Sequence, residues 1–420
     1  DASDPMALRT LDAEERRARL GRRQLLEPTE AASIEELIDR LVVLHATDPA
    51  TIYLSVAARR PGVTVADIDA ALFERRTIYR ALAMRRTLFV ASRSVGPAVE
   101  GSSSPRTADQ ERKRLEKFLV DTGISDPEDW LASLFDEVGE ALGADDGGVG
   151  RPARALVAEI PRLATKLIAG IGTRQEMELS ATSRVLGLMA VEGLLVRGRP
   201  SGGWTGRQYS WHRRDRWWPD GTEPTPIDDE HAAAVDLLGR YIGRFGPVTL
   251  TDLAWWTGWT KTKTRAVLAD VETAEVLVET EPGGAGPGGR PTGDGQGEPA
   301  FVLADDAEPI GTPEPLAALL PSLDPTPMGW KQRHWYLGPH QGPLFDRNGN
   351  IGPTVWLDGR IVGGWSQRAD GQVVTELFDD VGADGRALIE TEVGRIQAFV
   401  GDVVVKPSFP TPLQKELSAS

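Results

Sequence analysis

Residues 33–76 read SIEELIDRLVVLHATDPATIYLSVAARRPGVTVADIDAALFERR, and they set the pattern for most of the chain. Apolar side chains recur at helical spacing over residues 33–44 and give out at His45-Ala46-Thr47-Asp48-Pro49, where a loop is expected. Pro49 suits the first position of a helix and Asp48 its N-cap, so a second helix is predicted to run to about Arg60, where Pro61-Gly62 stops it. Thr64 with Asp67 three residues on opens a third helix in the manner of a capping box, carrying Ile68, Leu72 and Phe73 inward. Arg86-Thr87-Leu88-Phe89-Val90 then reads as a strand. Helix, turn, helix and strand in so short a span is the pattern of a winged helix.

A similar order recurs after Gly150. A helix over residues 153–159, a polar turn and a helix near residues 183–192 precede a strand at Leu194-Leu195-Val196-Arg197, a turn at Ser201-Gly202-Gly203 and a returning strand at Gln208-Tyr209-Ser210-Trp211. A third copy opens with a helix over about residues 231–245. Gly246-Pro247 breaks it, and Thr249 or Thr251 caps a short helix holding Trp255 and Trp256. A helix from about Thr262, with Lys261, Lys263 and Arg265 near its N-terminus, is the candidate recognition helix, and strands follow at residues 276–279 and 301–303. Eight glycines between Glu281 and Pro299 make a stretch that cannot bury a core and is expected at the tip of a third wing. Beyond residue 306 short alternating runs at residues 355–357, 360–365, 373–378 and 396–400, separated by Asp-Gly and Asn-Gly turns, predict strands. The fold class is therefore expected to be α+β: three tandem winged-helix domains followed by a small C-terminal β-barrel. The expected boundaries are residues 1–149, 150–228, 229–306 (with the wing loop 281–299) and 307–420.

Composition bounds the chemistry. A chain of 420 residues exceeds one ordinary core, and its 40% hydrophobic and 26% charged residues are those of a globular protein. No apolar run is long enough for a membrane span, and the N-terminus is acidic and arginine-rich where a signal peptide is apolar, so no membrane partner and a cytoplasmic location are expected. With no cysteine and five scattered histidines, neither a disulfide nor a protein-held metal is expected, and no cofactor. The net charge of −15 by itself argues against a generally basic nucleic-acid binder. Its distribution differs: between residues 197 and 218 six arginines (Arg197, Arg199, Arg207, Arg213, Arg214, Arg216) face the single acid Asp215. Such a run is either a solvated face or a phosphate-binding one.

Residues 41–49, 86–90, Leu319-Leu320-Pro321-Ser322-Leu323-Asp324 and 352–365, with the hairpin Leu357-Asp358-Gly359-Arg360, stand in an order and spacing that resembles the AlkZ/AlkX (YcaQ) family of winged-helix DNA glycosylases. The likeness spans nearly the whole chain. It implies a DNA glycosylase that hydrolyses an N-glycosidic bond without a metal. The substrates it implies are bulky N7-alkylguanine adducts or interstrand crosslinks in double-stranded DNA, in repair or genotoxin self-resistance. Members studied as glycosylases carry a Gln-x-Gln or Gln-x-Asp motif; the matching string here is His45-Ala46-Thr47, followed by Asp48.

Hydrolysis at such a base needs a water aimed at the anomeric carbon and a polar group that stabilises oxocarbenium charge. Acid help to the leaving group is optional, because N7-alkylguanine already carries positive charge. His45 is the candidate to orient or deprotonate that water, Thr47 to hold it, and Asp48 to stabilise the developing positive charge. In an extended segment the side chains of residues 45 and 47 share a face. The alternative is structural: Asp48 a helix cap, Thr47 a turn residue and His45 an ordinary loop histidine, in a non-catalytic DNA-binding or regulatory protein. Candidate DNA contacts are Arg85 and Arg86 beside the first wing, Arg207, Arg213, Arg214 and Arg216, Lys261 and Lys263, and Lys331 and Arg333. Trp217-Trp218 and Trp255-Trp256 are candidates either for base stacking or for the core. A monomer is expected.

Overall fold

The structure is a computed structural model that describes residues 8–27, 33–143, 150–172, 176–219, 221–279, 297–311 and 313–419. Backbone packing divides the chain into two units, one of Asp1–Ile68 with Ala234–Ser420 and one of Asp69–Ala233.

In the first unit, Ser33 caps the helix Ile34–Leu41 by accepting a hydrogen bond from the Glu36 N–H at 3.0 Å. Its apolar stripe, Ile34, Leu37, Ile38 and Leu41, is fully withdrawn from water. After the short strand Leu44–His45 comes the helix Pro49–Ala57, with Asp48 as N-cap and every residue buried. A helix with no solvent face needs polar anchors, and Arg59 just beyond it supplies one. Both Arg59 terminal nitrogens bond the Asp324 carboxylate at 2.7 and 2.8 Å, Nε bonds the Gln24 carbonyl at 2.7 Å, and Asp324 also accepts from the Ser55 hydroxyl at 2.7 Å. The pair is wholly buried.

The same unit holds the helix Glu230–Phe245 from Ala234 onward, the strand Val248–Thr249, the helices Leu250–Thr257 and Lys261–Leu268, and the hairpin Thr273–Val278 with Glu298–Leu303. Thr249 and Asp252 form the reciprocal capping box that ends the ambiguity between Thr249 and Thr251. Strand Thr10–Leu11, which the sequence did not suggest, adds in parallel to this sheet, Thr10 opposite Leu277 and Leu11 opposite Val278. Residues 280–296, most of the expected glycine-rich wing loop, lie outside the described residues; the returning strand begins at Glu298, inside that stretch.

Strands Ala317–Leu320, Thr354–Leu357, Arg360–Gln367 and Val373–Leu377 pair antiparallel in that order. Asp358 and Gly359, at φ 50° and 74°, make the tight turn that the Asp-Gly pair predicted. The expected β-barrel is not formed: the sheet is open, and among the described residues no strand closes it. The run 396–400, expected as a strand, is the end of the helix Gly382–Val400. The reason is periodicity: Gly385, Ile389, Glu392, Ile396 and Val400 are buried at intervals of three and four, so the apolar residues belong to a helical face laid on the sheet.

The second unit carries the hairpin Ile78–Leu82 with Leu88–Ser92, the long helix Gly96–Asp121, the helix Pro127–Gly143, strand Arg151–Pro152, helices Ala153–Glu159 and Ala181–Val191, and the hairpin Leu195–Ser201 with Gln208–Arg213. A small extra hairpin, Lys166–Ala169 with Met177–Ser180, stands between those two shorter helices. In its three-stranded sheet the middle strand is Gln208–Arg213, flanked by Arg151–Pro152 and Leu195–Ser201. The sheet around Val248–Thr249 has the equivalent order, with the last hairpin strand in the middle. One continuous core of Leu115, Leu119, Leu134, Leu163, Leu186 and Trp211 joins these elements.

Candidate active site and nucleic-acid interface

The residues 45–48 lie between a strand and a helix. His45 ends the strand Leu44–His45 and is 7% exposed; Asp48 is 5% exposed; Thr47 between them is on the surface. The expectation that residues 45 and 47 share a face does not hold, because the chain bends at Thr47 and Asp48 to enter the helix instead of continuing extended. What the bend brings inward is His45 and Asp48. Upstream, Val42 sits at φ 66°, a left-handed conformation that a β-branched residue rarely adopts, so the approach to this segment is strained.

The Asp48 carboxylate has two backbone partners. One oxygen accepts from the Ala50 N–H at 3.2 Å, the capping bond, and the other from the Ser408 N–H at 3.0 Å. A carboxylate offers about four lone-pair directions, so acceptor capacity remains. Beside it lies a narrow cavity of about 60 Å³ lined by Asp48, Thr51, Ser322, Gln367 and Gln414 among others. A space of that size admits a few water molecules, for which Asp48, Gln367 and Gln414 offer polar partners in a lining that also includes Leu54, Trp365 and Val405. Ser408 is the residue that sequence reasoning missed; it is 360 positions from Asp48, and no local signal links them.

The candidate DNA contacts sort by burial. In the first unit Lys261 is exposed at the first turn of the helix Lys261–Leu268, whose N-cap Thr260 accepts from the Lys263 N–H, and the Lys263 ammonium lies 4.9 Å from the Trp259 ring centre. Lys331 and Arg333 are tied to the neighbouring helix Leu250–Thr257: Asp252 accepts from the Lys331 and Gln332 N–H groups at 2.9 and 3.0 Å, and the Arg333 guanidinium lies 5.0 Å over Trp255. In the second unit Arg85 and Arg86 occupy the hairpin tip at φ 53° and 57°, both exposed, with Arg86 paired to Glu111. Arg207 is exposed, Arg216 donates to the Gly143 carbonyl at 3.0 Å, and Arg213 is held by Asp215 in a bidentate pair at 2.5 and 3.0 Å. That hydrogen bonding raises the Arg213 pKa and lowers that of Asp215.

Arg214 differs from the rest. It is buried, and its guanidinium is spent on Glu100 (2.6 and 3.1 Å), Glu223 (2.7 Å) and the Pro224 carbonyl (3.2 Å). Burial alone would lower its pKa; the bonds and charge of Glu100 more than reverse this and raise it. Arg214 is placed to hold the base of its hairpin. The paired tryptophans are largely core: Trp217, Trp218 and Trp256 are buried, and only Trp255 is partly open. Among the described residues no group of three or more His, Asp or Glu is placed to hold a metal ion, and no helix is long and apolar enough to cross a membrane.

Residues 38–399 match the family described as DNA glycosylase AlkZ-like. The chain belongs to the AlkZ-like DNA glycosylase family. A Streptomyces sahachiroi relative described as an interstrand DNA cross-link repair glycosylase is 25% identical over 390 residues, covering 90% of this chain and 94% of its own. The solved structure of Streptomyces sahachiroi DNA glycosylase AlkZ superposes with a TM-score of 0.67 at 20% identity, covering 94% of this chain and 98% of that one. The AlkZ-like span contains residues 45–48 and every basic residue named above.

Proposed function

We propose that this AlkZ-like chain is a DNA glycosylase that releases N7-alkylguanine, as a bulky adduct or as one end of an interstrand crosslink, from double-stranded DNA. It acts as a cytoplasmic monomer in repair or genotoxin self-resistance. The observation that supports the reading is the buried Asp48 carboxylate, held by two backbone amides beside a small cavity, directly after the string His45-Ala46-Thr47 that stands where the family's glycosylases carry their paired polar motif. The crosslink substrate is supported by the named activity of the Streptomyces sahachiroi relative.

In this reading the reaction is monofunctional hydrolysis without a metal. The Asp48 carboxylate, held by the Ala50 and Ser408 amides, stabilises positive charge as the glycosidic bond lengthens, and His45 orients the attacking water. Thr47, on the surface, is placed to meet the DNA rather than to share an enclosed site. The recurring order of helix, short strand, helices and hairpin supports three tandem winged helices within residues 1–149, 150–228 and 229–306. The exposed basic residues Arg85, Arg86, Arg207, Arg216, Lys261 and Lys331 contact phosphates, with Arg213, Lys263 and Arg333 beside them.

The test is base release by excess protein from three duplexes: one with a single N7-methylguanine, one with a bulky N7 adduct and one with an N7 crosslink, scored as alkali-labile strand breaks. Breaks at the modified guanine, absent from an unmodified duplex, are expected. Binding to all three without breaks would leave a DNA-binding protein in which Asp48 serves only as a cap.

A further inference from the structure

Within the unit Asp69–Ala233, the arginines of the hairpins divide into those with carboxylate partners and those without. Arg199 pairs with Asp69 and with Glu74 (3.6 Å), Arg213 with Asp215, and Arg214 with Glu100 and Glu223. Arg80 and Arg197 have no such partner among the described residues. Arg80, on the strand Ile78–Leu82, is 7% exposed, and its Nε and Nη2 are sealed from solvent without a hydrogen-bond acceptor among the described residues. Its guanidinium carbon lies 4.9 Å from the ring centre of Tyr209 and 5.5 Å from that of Phe73. Arg197, on the strand Leu195–Ser201, stacks its guanidinium 4.8 Å over Trp211.

The two guanidiniums sense each other. Burial pushes Arg197 down to about 10; Tyr209 opposes the fall and Arg80 adds to it. At neutral pH Arg197 remains charged. For a base with a lowered pKa it is the charged form that folding disfavours, so the lost stability returns only as pH rises past about 10. Stacking on aromatic faces favours each cation but gives the N–H donors nothing to bond. Two adjacent forks of donors in a poorly solvated place, with no acid opposite, match an oxyanion that accepts several hydrogen bonds at once.

We propose that Arg80 and Arg197 form a binding site for a phosphate oxyanion, and that its natural occupant is a backbone phosphate of a nucleic-acid strand laid along the hairpin Leu195–Ser201 with Gln208–Arg213. The aromatic rings of Phe73, Tyr209 and Trp211 hold the guanidiniums in place, and exposed Arg207 in the same hairpin draws the strand toward it. Only the source of the phosphate rests on the DNA-binding reading; the anion site does not depend on base release.

The test uses the full chain as wild type, Arg80→Met, Arg197→Gln and Arg197→Lys, with two readouts. The first is the melting temperature in inorganic phosphate against chloride at equal ionic strength, which exposes an ion-specific gain once the variants set the general salt effect. The second is the affinity for an undamaged fluorescent duplex as salt is varied. Phosphate should raise the wild-type melting temperature and should do little for Arg80→Met or Arg197→Gln. Arg80→Met should be as stable as wild type, or more so, in chloride. Arg197→Gln should bind the duplex roughly tenfold more weakly with a log–log salt slope smaller by about one, and Arg197→Lys should recover the slope but only part of the affinity. A phosphate effect lost in the variants with duplex binding unchanged would keep the anion site and overturn the strand as its occupant. Duplex binding lost with an unchanged salt slope would overturn phosphate as the ligand. Unchanged duplex binding with no phosphate effect in wild type would overturn the site itself. If Arg80→Met does not fold, the two Arg197 variants decide alone.

Discussion

At the scale of single residues, two carboxylates illustrate how differently the same group serves this chain. Asp324 neutralises Arg59 in a wholly buried pair, and breaking such a pair costs about 3–5 kcal/mol because it strands the remaining charge. Asp324→Ala is therefore expected to lower the stability of the first unit by that amount in denaturant titrations. An Arg59→Met, Asp324→Leu double variant should recover most of it. Among the described residues Asp48 is bonded only by backbone amides, one to each oxygen, so Asp48→Asn keeps one acceptor, turns its –NH2 toward the other N–H and should cost about 1–3 kcal/mol of stability, while base release by the folded variant falls at least about tenfold. Base release unchanged in the folded variant would mark Asp48 as a cap and nothing more. The cap itself was legible from Asp48-Pro49, because capping is local chemistry; the Ser408 amide was not, because it comes from the far end of the chain.

At the scale of elements, the hairpin tip Met84-Arg85-Arg86-Thr87 places two consecutive arginines in left-handed conformations, where Asn-Gly is the unstrained choice. Arg85→Asn with Arg86→Gly is expected to stabilise the chain by about 1 kcal/mol while weakening duplex binding. A variant that binds DNA as wild type does would remove these arginines from the interface. Elements with clean local signals are legible: the stripe of Ile34, Leu37, Ile38 and Leu41 and the Asp358-Gly359 turn each carry their own instruction, whereas the cap at Thr249 has a rival two residues on in Thr251. The helix Gly96–Asp121 went unread because Gly96-Pro97 and Gly101-Ser102-Ser103-Ser104-Pro105 look like a loop and its second half is charged on most faces. Gly101 is needed there for contact rather than for a turn: a Cβ would lie 2.4 Å from the Ile227 carbonyl oxygen. The run 396–400 was misread because five apolar-rich residues fit either period, and only the longer register with Gly385, Ile389 and Glu392 separates helix from strand.

At the scale of the whole molecule, a net charge of −15 has to coexist with DNA binding. The acids reconcile the two by pairing many of the arginines and leaving a limited basic set exposed, so the affinity for DNA should fall steeply with salt, about tenfold or more between 50 and 200 mM. Binding indifferent to salt would contradict the proposed phosphate contacts. The family was legible in the order of short strings along the chain, whereas the site departs from the family's motif at His45 and Thr47, and there only chemistry decides. The most direct measurement is the single-turnover rate of base release from one N7-alkylguanine duplex, alongside the affinity for that same duplex, in wild type and His45→Ala. The account predicts release by wild type, a rate lower by about a hundredfold or more in His45→Ala, and affinities within about twofold of each other. Equal rates in the two proteins, or no release by wild type at saturating protein, would contradict it.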